Sequence, residues 1–281
     1  MTIKNIENYK LPSKEDILEN KVNWSIDPEK TILLIHDMQN YFVNFYGDSD
    51  LIKEVSKNIV RIKKYCKENG IPVIYTAQPA NQSKEKRALL TDFWGEGLKD
   101  EEDQKIIELL KPEKEDIVLT KWRYSAFIKT NLLDLFAENN KDTLIITGVY
   151  GHIGIATTSC DAFMNDIKSF VVSDAIADFS LKDHIDGLNY VSQRCGVVKS
   201  TSQIIKNTND YKELITKIIG ETTPIEKIDL NTNLLEQGLD SIRVMMVTEK
   251  LREFKKDINF MDLLTKPTIN EWNNILIGKE N

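Results

Sequence analysis

Six short apolar runs bounded by turns recur through the first two hundred residues: "TILLIH" (31–36), "IPVIYT" (71–76), "DIVLTK" (116–121), "TLIITGV" (143–149), "KSFVVS" (168–173) and "GVVKS" (196–200). Each is rich in Val, Ile or Leu and reads as a buried strand. Helical spacing separates them. Over 50–69, for instance, Leu51, Ile52, Val55, Ile59, Ile62 and Cys66 form one apolar stripe that ends before Gly70. Strand and helix alternating over this length predict a Rossmann-like α/β fold, a parallel sheet with helices on both faces.

The alternation stops near residue 200, where "STSQIIKNTNDYK" is polar enough for a linker. Beyond it the chain gives only helical signals: "YKELITKII", "SIRVMMVTEKLREF", "FMDLLT" and "TINEWNNIL". Val244, Val247, Leu251 and Phe254 recur at helical spacing, and are expected to pack the core of a small four-helix bundle. The expected division is a first domain over 1–203, a linker over 204–212 and a second domain over 213–281, in keeping with a chain of 281 residues.

Charge and composition exclude several classes of function. A net charge of −7 with no clustered basic stripe argues against a nucleic-acid partner, which would require concentrated Lys and Arg. No apolar run approaches the length that spans a bilayer, and "MTIKNIENYKLPSKED" lacks a signal-peptide core, so neither a membrane nor an export route is expected and the cytoplasm is. Cys66, Cys160 and Cys195 are widely spaced and form no metal-type pair; with only three His residues, no metal site is expected and the thiols should be reduced.

In open parallel sheets ligands bind beyond the carboxyl ends of the strands. There the first strand presents Asp37, Gln39 and Phe42, the second is followed by Gln78 and a loop holding Arg87 and Trp94, and the third by Lys121 and Tyr124. The fourth runs into "GVYGHIGIATTSCD", with Tyr150, Gly151 and Gly154 at a strand-to-helix turn that commonly holds a nucleophile. Here it offers none, and the thiol of Cys160 lies further along the helix. Taken singly, each residue has a plainer reading: Asp37 as a cap, Lys121 as a solvated strand end, Arg87 as part of an exposed charged run, Trp94 as core. Convergence of an acid, two cations, two Gln and several aromatics at neighbouring strand ends points instead to one cleft.

The segments "TILLIHDMQNYFV", "LTKWRYSAF" and "ITGVYGHIGIATTSCDAFMNDIKSFVVSDAIADFS" resemble the isochorismatase family, and most of all the bifunctional isochorismatase/aryl carrier proteins of catecholate siderophore pathways. The resemblance extends over essentially the whole chain. It implies water-dependent cleavage of isochorismate to pyruvate and 2,3-dihydro-2,3-dihydroxybenzoate. Related cysteine hydrolases use an Asp, a Lys and a Cys; Asp37 and Lys121 match the first two, and the Cys position falls on Gly154. Enol-ether hydrolysis requires a general acid at the terminal CH2 and no thiolate. Asp37 is the expected acid, its pKa raised by burial and by the substrate's carboxylates. Lys121 and Arg87 are then expected on the substrate's oxygens and carboxylates, Gln39 and Gln78 on hydroxyls or water, and Phe42, Trp94, Tyr124, Tyr150 and Gly151 around the ring. Gly154 is expected to leave room for the substrate. A catalytically silent scaffold and an amidase using Cys160 are the competing readings.

In the second domain "GLDS" resembles the phosphopantetheine attachment site of carrier proteins, which implies a covalent 4′-phosphopantetheine on Ser241. Asp240 and Ser241 also make a good helix N-cap sequence. Ile242, Met245 and Met246 lie off the core stripe and read equally as a docking face or as core. The resemblance further implies a 2,3-dihydroxybenzoate-AMP ligase, a phosphopantetheinyl transferase and a nonribosomal peptide synthetase condensation domain as partners, and a homodimer.

Overall fold

Along the central strands, successive side chains serve two different cores, as a pleat with period two requires. Leu33, Ile35, Val73, Tyr75 and Ile145 enter one core, and Ile32, Leu34, Ile74, Leu144 and Ile146 enter the other. Both faces of the sheet are therefore covered. A computed structural model describes residues 4–206, 211–222, 228–252, 254 and 257–277. The strands are β1 (Thr31–His36), β2 (Val73–Ala77), β3 (Ile117–Thr120), β4 (Thr143–Val149), β5 (Lys168–Ala177) and β6 (Gly196–Lys199), all parallel, in the order β3-β2-β1-β4-β5-β6.

Helix α1 (Asp50–Glu68) covers the first face, with Ser49 accepting from the Ile52 amide as its N-cap. Its apolar stripe, Leu51 to Cys66, is buried throughout. The other face carries α2 (Leu132–Glu138), α3 (Ala156–Met164) and α4 (Leu181–Arg194). Because β2 and β3 lie to one side of β1 and β4 to the other, the chain reverses its winding between β1 and β4. A crevice opens there, beyond the strands' carboxyl ends.

Strand β5 runs four residues past the "KSFVVS" expected from sequence. Ser173 and Asp174 look like a terminus, yet Asp174 Oδ1 accepts from Thr201 N at 2.6 Å and Thr201 Oγ1 at 2.7 Å, so its carboxylate is satisfied without ending the strand. A register shift between Ile146 and Gly148 accommodates the extension.

The chain divides into two compact units, Met1–Ile205 and Lys206–Asn281. Residues 207–210 of the expected linker lie outside the described residues. The second unit contains α5 (Lys212–Thr222), α6 (Ser241–Arg252), α7 (Phe260–Thr265) and α8 (Ile269–Ile277) around Val244, Val247, Leu251, Leu263 and Trp272. Phe254 does not join them. The α6 helix is described as far as Arg252, and Phe254, beyond it, stands 56% exposed. Among the described residues no helix is long and apolar enough to cross a membrane.

Candidate active site

Asp37 is the first residue after β1, in a left-handed conformation (φ 50°) that Asp tolerates better than most residues. The register explains how it is held: His36 pairs with Thr76 on β2, and the Thr76 hydroxyl donates to Asp37 Oδ1 at 2.6 Å while accepting from the Asp37 amide at 3.1 Å. Lys121 follows β3, its amide continuing the ladder by donating to Ala77 O at 2.9 Å. Its Nζ donates to Asp37 Oδ2 at 2.8 Å. Lys121 and Asp37 are only 2% and 4% exposed, so this is a buried ion pair.

Burial on its own would raise the Asp37 carboxyl's pKa. The Lys121 ammonium, followed by the His36 side chain and the hydrogen bonds from Lys121 and Thr76, outweighs it and holds the carboxyl below its ordinary value. This corrects the expectation that burial raises the Asp37 pKa: Lys121, expected on the substrate's oxygens and carboxylates, is itself paired with the Asp37 carboxylate. In the free site the carboxylate is ionised and paired.

Arg87 closes a short helical turn capped by Ser83. Its Nε donates to Gly95 O at 2.6 Å, while its buried Nη1 has no partner among the described residues. A Cβ at residue 97 would stand 2.4 Å from that Nη1, so glycine is needed at 97 to admit the guanidinium. The pocket is walled by aromatics. Trp94 Nε1 donates to Tyr124 Oη at 2.7 Å, and Tyr150 Oη donates to Phe42 O at 3.0 Å. Phe179 lies with its ring 4.5 Å from that of Tyr150 and 5.9 Å from that of Trp94.

Asp37, Phe42, Gln78, Arg87, Trp94, Lys121, Tyr124, Tyr150 and Gly154 thus line one pocket, as expected. Two residues do not. Gln39 is fully buried and its amide holds a loop: Nε2 donates to Gln78 O and Gln104 O, both at 2.8 Å, and Oε1 accepts from Gln78 N at 2.8 Å. Gly151 packs against Asp178, whose Oδ2 would lie 2.9 Å from a Cβ there. Cys160 is within α3, away from the pocket, with its Sγ 3.5 Å from Tyr190 Oη.

Gly154 also differs from expectation. The space a side chain would take at 154 is filled by the His36 ring, with Cε1 2.3 Å and Nε2 2.8 Å from the position of a Cβ. His36, Tyr41, Leu90, Ile153 and Phe179 are pocket residues that the strand-end reading missed. Period two puts His36 on the face of Ile32 and Leu34, the face that the turn carrying Gly154 covers, and Phe179 falls two residues beyond the true end of β5.

In the second unit Ser241 opens α6 and is exposed. Asp240 Oδ1 accepts from Arg243 N at 2.8 Å, so the cap is Asp240 and the Ser241 hydroxyl is not taken up by capping. Ile242, Met245 and Met246 are 66%, 51% and 50% exposed, whereas Val244 and Val247 are fully buried; the three are surface, not core. An accessible hydroxyl at the N-terminus of a twelve-residue helix fits a phosphodiester attachment.

Comparison with known proteins agrees with both halves. Residues 31–203 match the isochorismatase domain and residues 212–274 the phosphopantetheine attachment site. The chain is 43% identical to the isochorismatase of Bacillus subtilis (strain 168), over 98% of this chain and 96% of that protein. It is 44% identical to enterobactin synthase component B of Escherichia coli (strain K12), over 97% of each. A cysteine hydrolase from Pseudomonas syringae pv. phaseolicola 1448A shares the fold at 22% identity and a TM-score of 0.61, covering 66% of this chain and 95% of the other. This chain belongs to the isochorismatase family, as one of its members in which the isochorismatase domain is followed by a phosphopantetheine attachment domain.

Proposed function

We propose that the first unit, functionally residues 1–203, hydrolyses the enol ether of isochorismate to pyruvate and 2,3-dihydro-2,3-dihydroxybenzoate. The second, residues 213–281, carries 2,3-dihydroxybenzoate as a thioester for nonribosomal siderophore synthesis. Relatives at 43% and 44% identity along nearly the whole chain, one an isochorismatase and one an enterobactin synthase component, support both assignments. The observation that carries the first is the charge count of the pocket. Two buried cations, Lys121 and Arg87, line the pocket together with one carboxylate, Asp37, and the Arg87 Nη1 has no partner among the described residues. With Asp37 protonated, as its role as the acid requires, the two cations match the two charges of a dicarboxylate.

In this reading the substrate's carboxylates draw on the Arg87 guanidinium and the Lys121 ammonium, and so weaken the field that keeps Asp37 ionised. Asp37 then takes up a proton and delivers it to the terminal CH2, forming an oxocarbenium ion. Water adds to the oxocarbenium carbon, the one that bears the ether oxygen, and returns a proton to Asp37. The hemiketal collapses with cleavage of its C–O bond to the ring, giving pyruvate and the ring alcohol. Gln78, with Nε2 3.5 Å from Asp37 Oδ2, is suited to position the water. Phe42, Trp94, Tyr124 and Tyr150 flank the ring and exclude bulk solvent.

Phosphopantetheine on Ser241 supplies a thiol at the end of a flexible arm. Asp240 caps the helix that presents the serine, and Ile242, Met245 and Met246 offer an apolar face for docking. The partners in this scheme are a 2,3-dihydroxybenzoate-AMP ligase, a phosphopantetheinyl transferase and a synthetase condensation domain, with the first unit paired as a homodimer. Incubation with isochorismate and coupled detection of pyruvate tests the reading. Stoichiometric pyruvate is expected, and none at all would make the first unit a silent scaffold. Mass spectrometry after transferase and coenzyme A treatment should find one adduct, on Ser241.

A further inference from the structure

The mechanism above leaves one buried titratable side chain of the pocket unused. His36 is 1% exposed, at the end of β1 beside the reactive carboxylate, with its Nδ1 3.8 Å from Asp37 Oδ2. Nδ1 donates to Val149 O at 2.7 Å, on the neighbouring strand and immediately before Tyr150. Nε2 faces Tyr124 O at 3.4 Å. One ring is therefore hydrogen-bonded to the segment that carries Tyr150 and packed against the one that carries Tyr124. Its far edge reaches the turn after β4, where a Cβ at 154 would meet Cε1 at 2.3 Å. Real side chains do not approach that closely, and the obstructing atoms belong to a rigid ring held by a hydrogen bond, so the ring cannot simply swing aside.

We propose that His36 is the specificity-determining positioning residue of this pocket: its imidazole fills the space where a nucleophilic side chain at 154 would stand and fixes the separation of Tyr124 and Tyr150. Residues 36 and 154 then form one unit, in which the ring requires glycine and the glycine leaves the ring in place. The inference rests on the enol-ether reading of the same site. It adds that the floor of the pocket is a ring edge, fitted to a flat, bulky cyclic diacid. A site that holds an acid beside a lysine is thereby kept from covalent chemistry by the residue preceding the acid.

The test is a double-substitution cycle in the full-length protein, with kcat, KM and thermal midpoint measured for each member. Asn is the informative replacement, since His36→Asn keeps a donor near the Nδ1 position and removes Cε1 and Nε2. Gly154→Ala alone is expected to lower kcat/KM about 100-fold, as misplacement of about an ångström does. His36→Asn alone should cost about 10-fold, mainly in KM, and the double variant should be no worse than His36→Asn within about 3-fold, a coupling expected only of residues in contact. Losses that multiply would overturn the proposal, as would recovery of the thermal midpoint without recovery of KM, which is the signature of packing alone.

A second readout does not depend on turnover or on the folding of Gly154→Ala. In Gly154→Cys the introduced thiol should be alkylated by iodoacetamide at least about 10-fold faster when combined with His36→Asn, followed by peptide mass spectrometry against the native cysteines. Equal rates in the two backgrounds would overturn the proposal. Wild-type protein that released no pyruvate would sink the enol-ether reading instead, leaving this readout to be judged by itself.

Discussion

At the scale of single residues, the decisive contact is the 2.8 Å ion pair between Lys121 and Asp37. Removing one partner of a buried pair leaves an uncompensated charge, which costs about 3–5 kcal/mol. Asp37→Asn leaves the Lys121 charge unpaired just as Asp37→Ala does, but it keeps the shape and one acceptor and so disturbs the pocket less; pyruvate release is expected to fall about 10²–10⁴-fold. Since Lys121 depresses the Asp37 pKa in the free site, a dianionic ligand that engages Lys121 and Arg87 should raise it and draw in a proton. Calorimetric titration with the saturated lactyl-ether analogue of isochorismate, in two buffers of different ionisation enthalpy, should show uptake of up to one proton per site. Buffer-independent heats would show that Asp37 stays ionised. Asp37, Lys121, Arg87, Trp94, Tyr124 and Tyr150 were legible because alternation of strand and helix fixes where strands end. His36 was not, because it closes an apolar run that reads as core, and which way its ring reaches follows from the neighbouring strand. Gln39 misled for the opposite reason: it lies at a strand end, but its amide is committed to Gln78 and Gln104.

At the scale of elements, the π-helical turn Gly151–Ile155 joins β4 to α3 and sets the position of Gly154. The end of β5 secures it. Asp178 is fully buried, and its carboxylate accepts from the His152 amide at 2.5 Å, from His152 Nδ1 at 2.7 Å and from the Phe179 amide at 2.8 Å. Burial alone would lower the His152 pKa; the hydrogen bond and charge of Asp178 outweigh it and raise the value above 6.5. The stability that this pair contributes is thus complete below that ordinary value and is lost as pH rises through the raised one. An NMR titration of the His152 Cε1 proton should give a midpoint above 6.5, and Asp178→Asn should bring it down and broaden the Phe179 ring signals. A midpoint unchanged by Asp178→Asn would show that the carboxylate does not hold the turn. The six strands and α1 could be read from periodicity, but the extension of β5 could not, since a half-buried Asp174 satisfied by Thr201 looks in sequence like a strand end.

At the scale of the whole molecule, the two units differ in how acid should affect them. His36 and His184 both lie in the first, and burial lowers each from 6.5 to about 4. His184 is held neutral between Ser173 O at 3.0 Å and Tyr9 Oη at 3.1 Å. Each ring binds its proton at higher pH when unfolded than when folded. The first unit is therefore expected to lose stability as pH falls from 6.5 towards 4, by on the order of 3 kcal/mol for each ring. Differential scanning calorimetry across that range should show its transition moving down while that of the Trp272-centred unit moves less. Transitions that shift together would show that the buried imidazoles do not set the acid limit. The order of the two units was plain in the sequence, whereas the exposure of Phe254 was not, because a helical period says nothing about where a helix stops.

The clamp on Asp37 also has a stereochemical consequence. Thr76 and Lys121 each occupy one oxygen of the carboxyl group, so it cannot spin, and only one direction remains from which its proton reaches a bound alkene carbon. Protonation is then confined to one face of the enol. Isochorismate carrying tritium at one defined methylene position, turned over in deuterium oxide, should yield pyruvate whose methyl group has a single handedness, whereas protonation by free solvent would yield a racemic one.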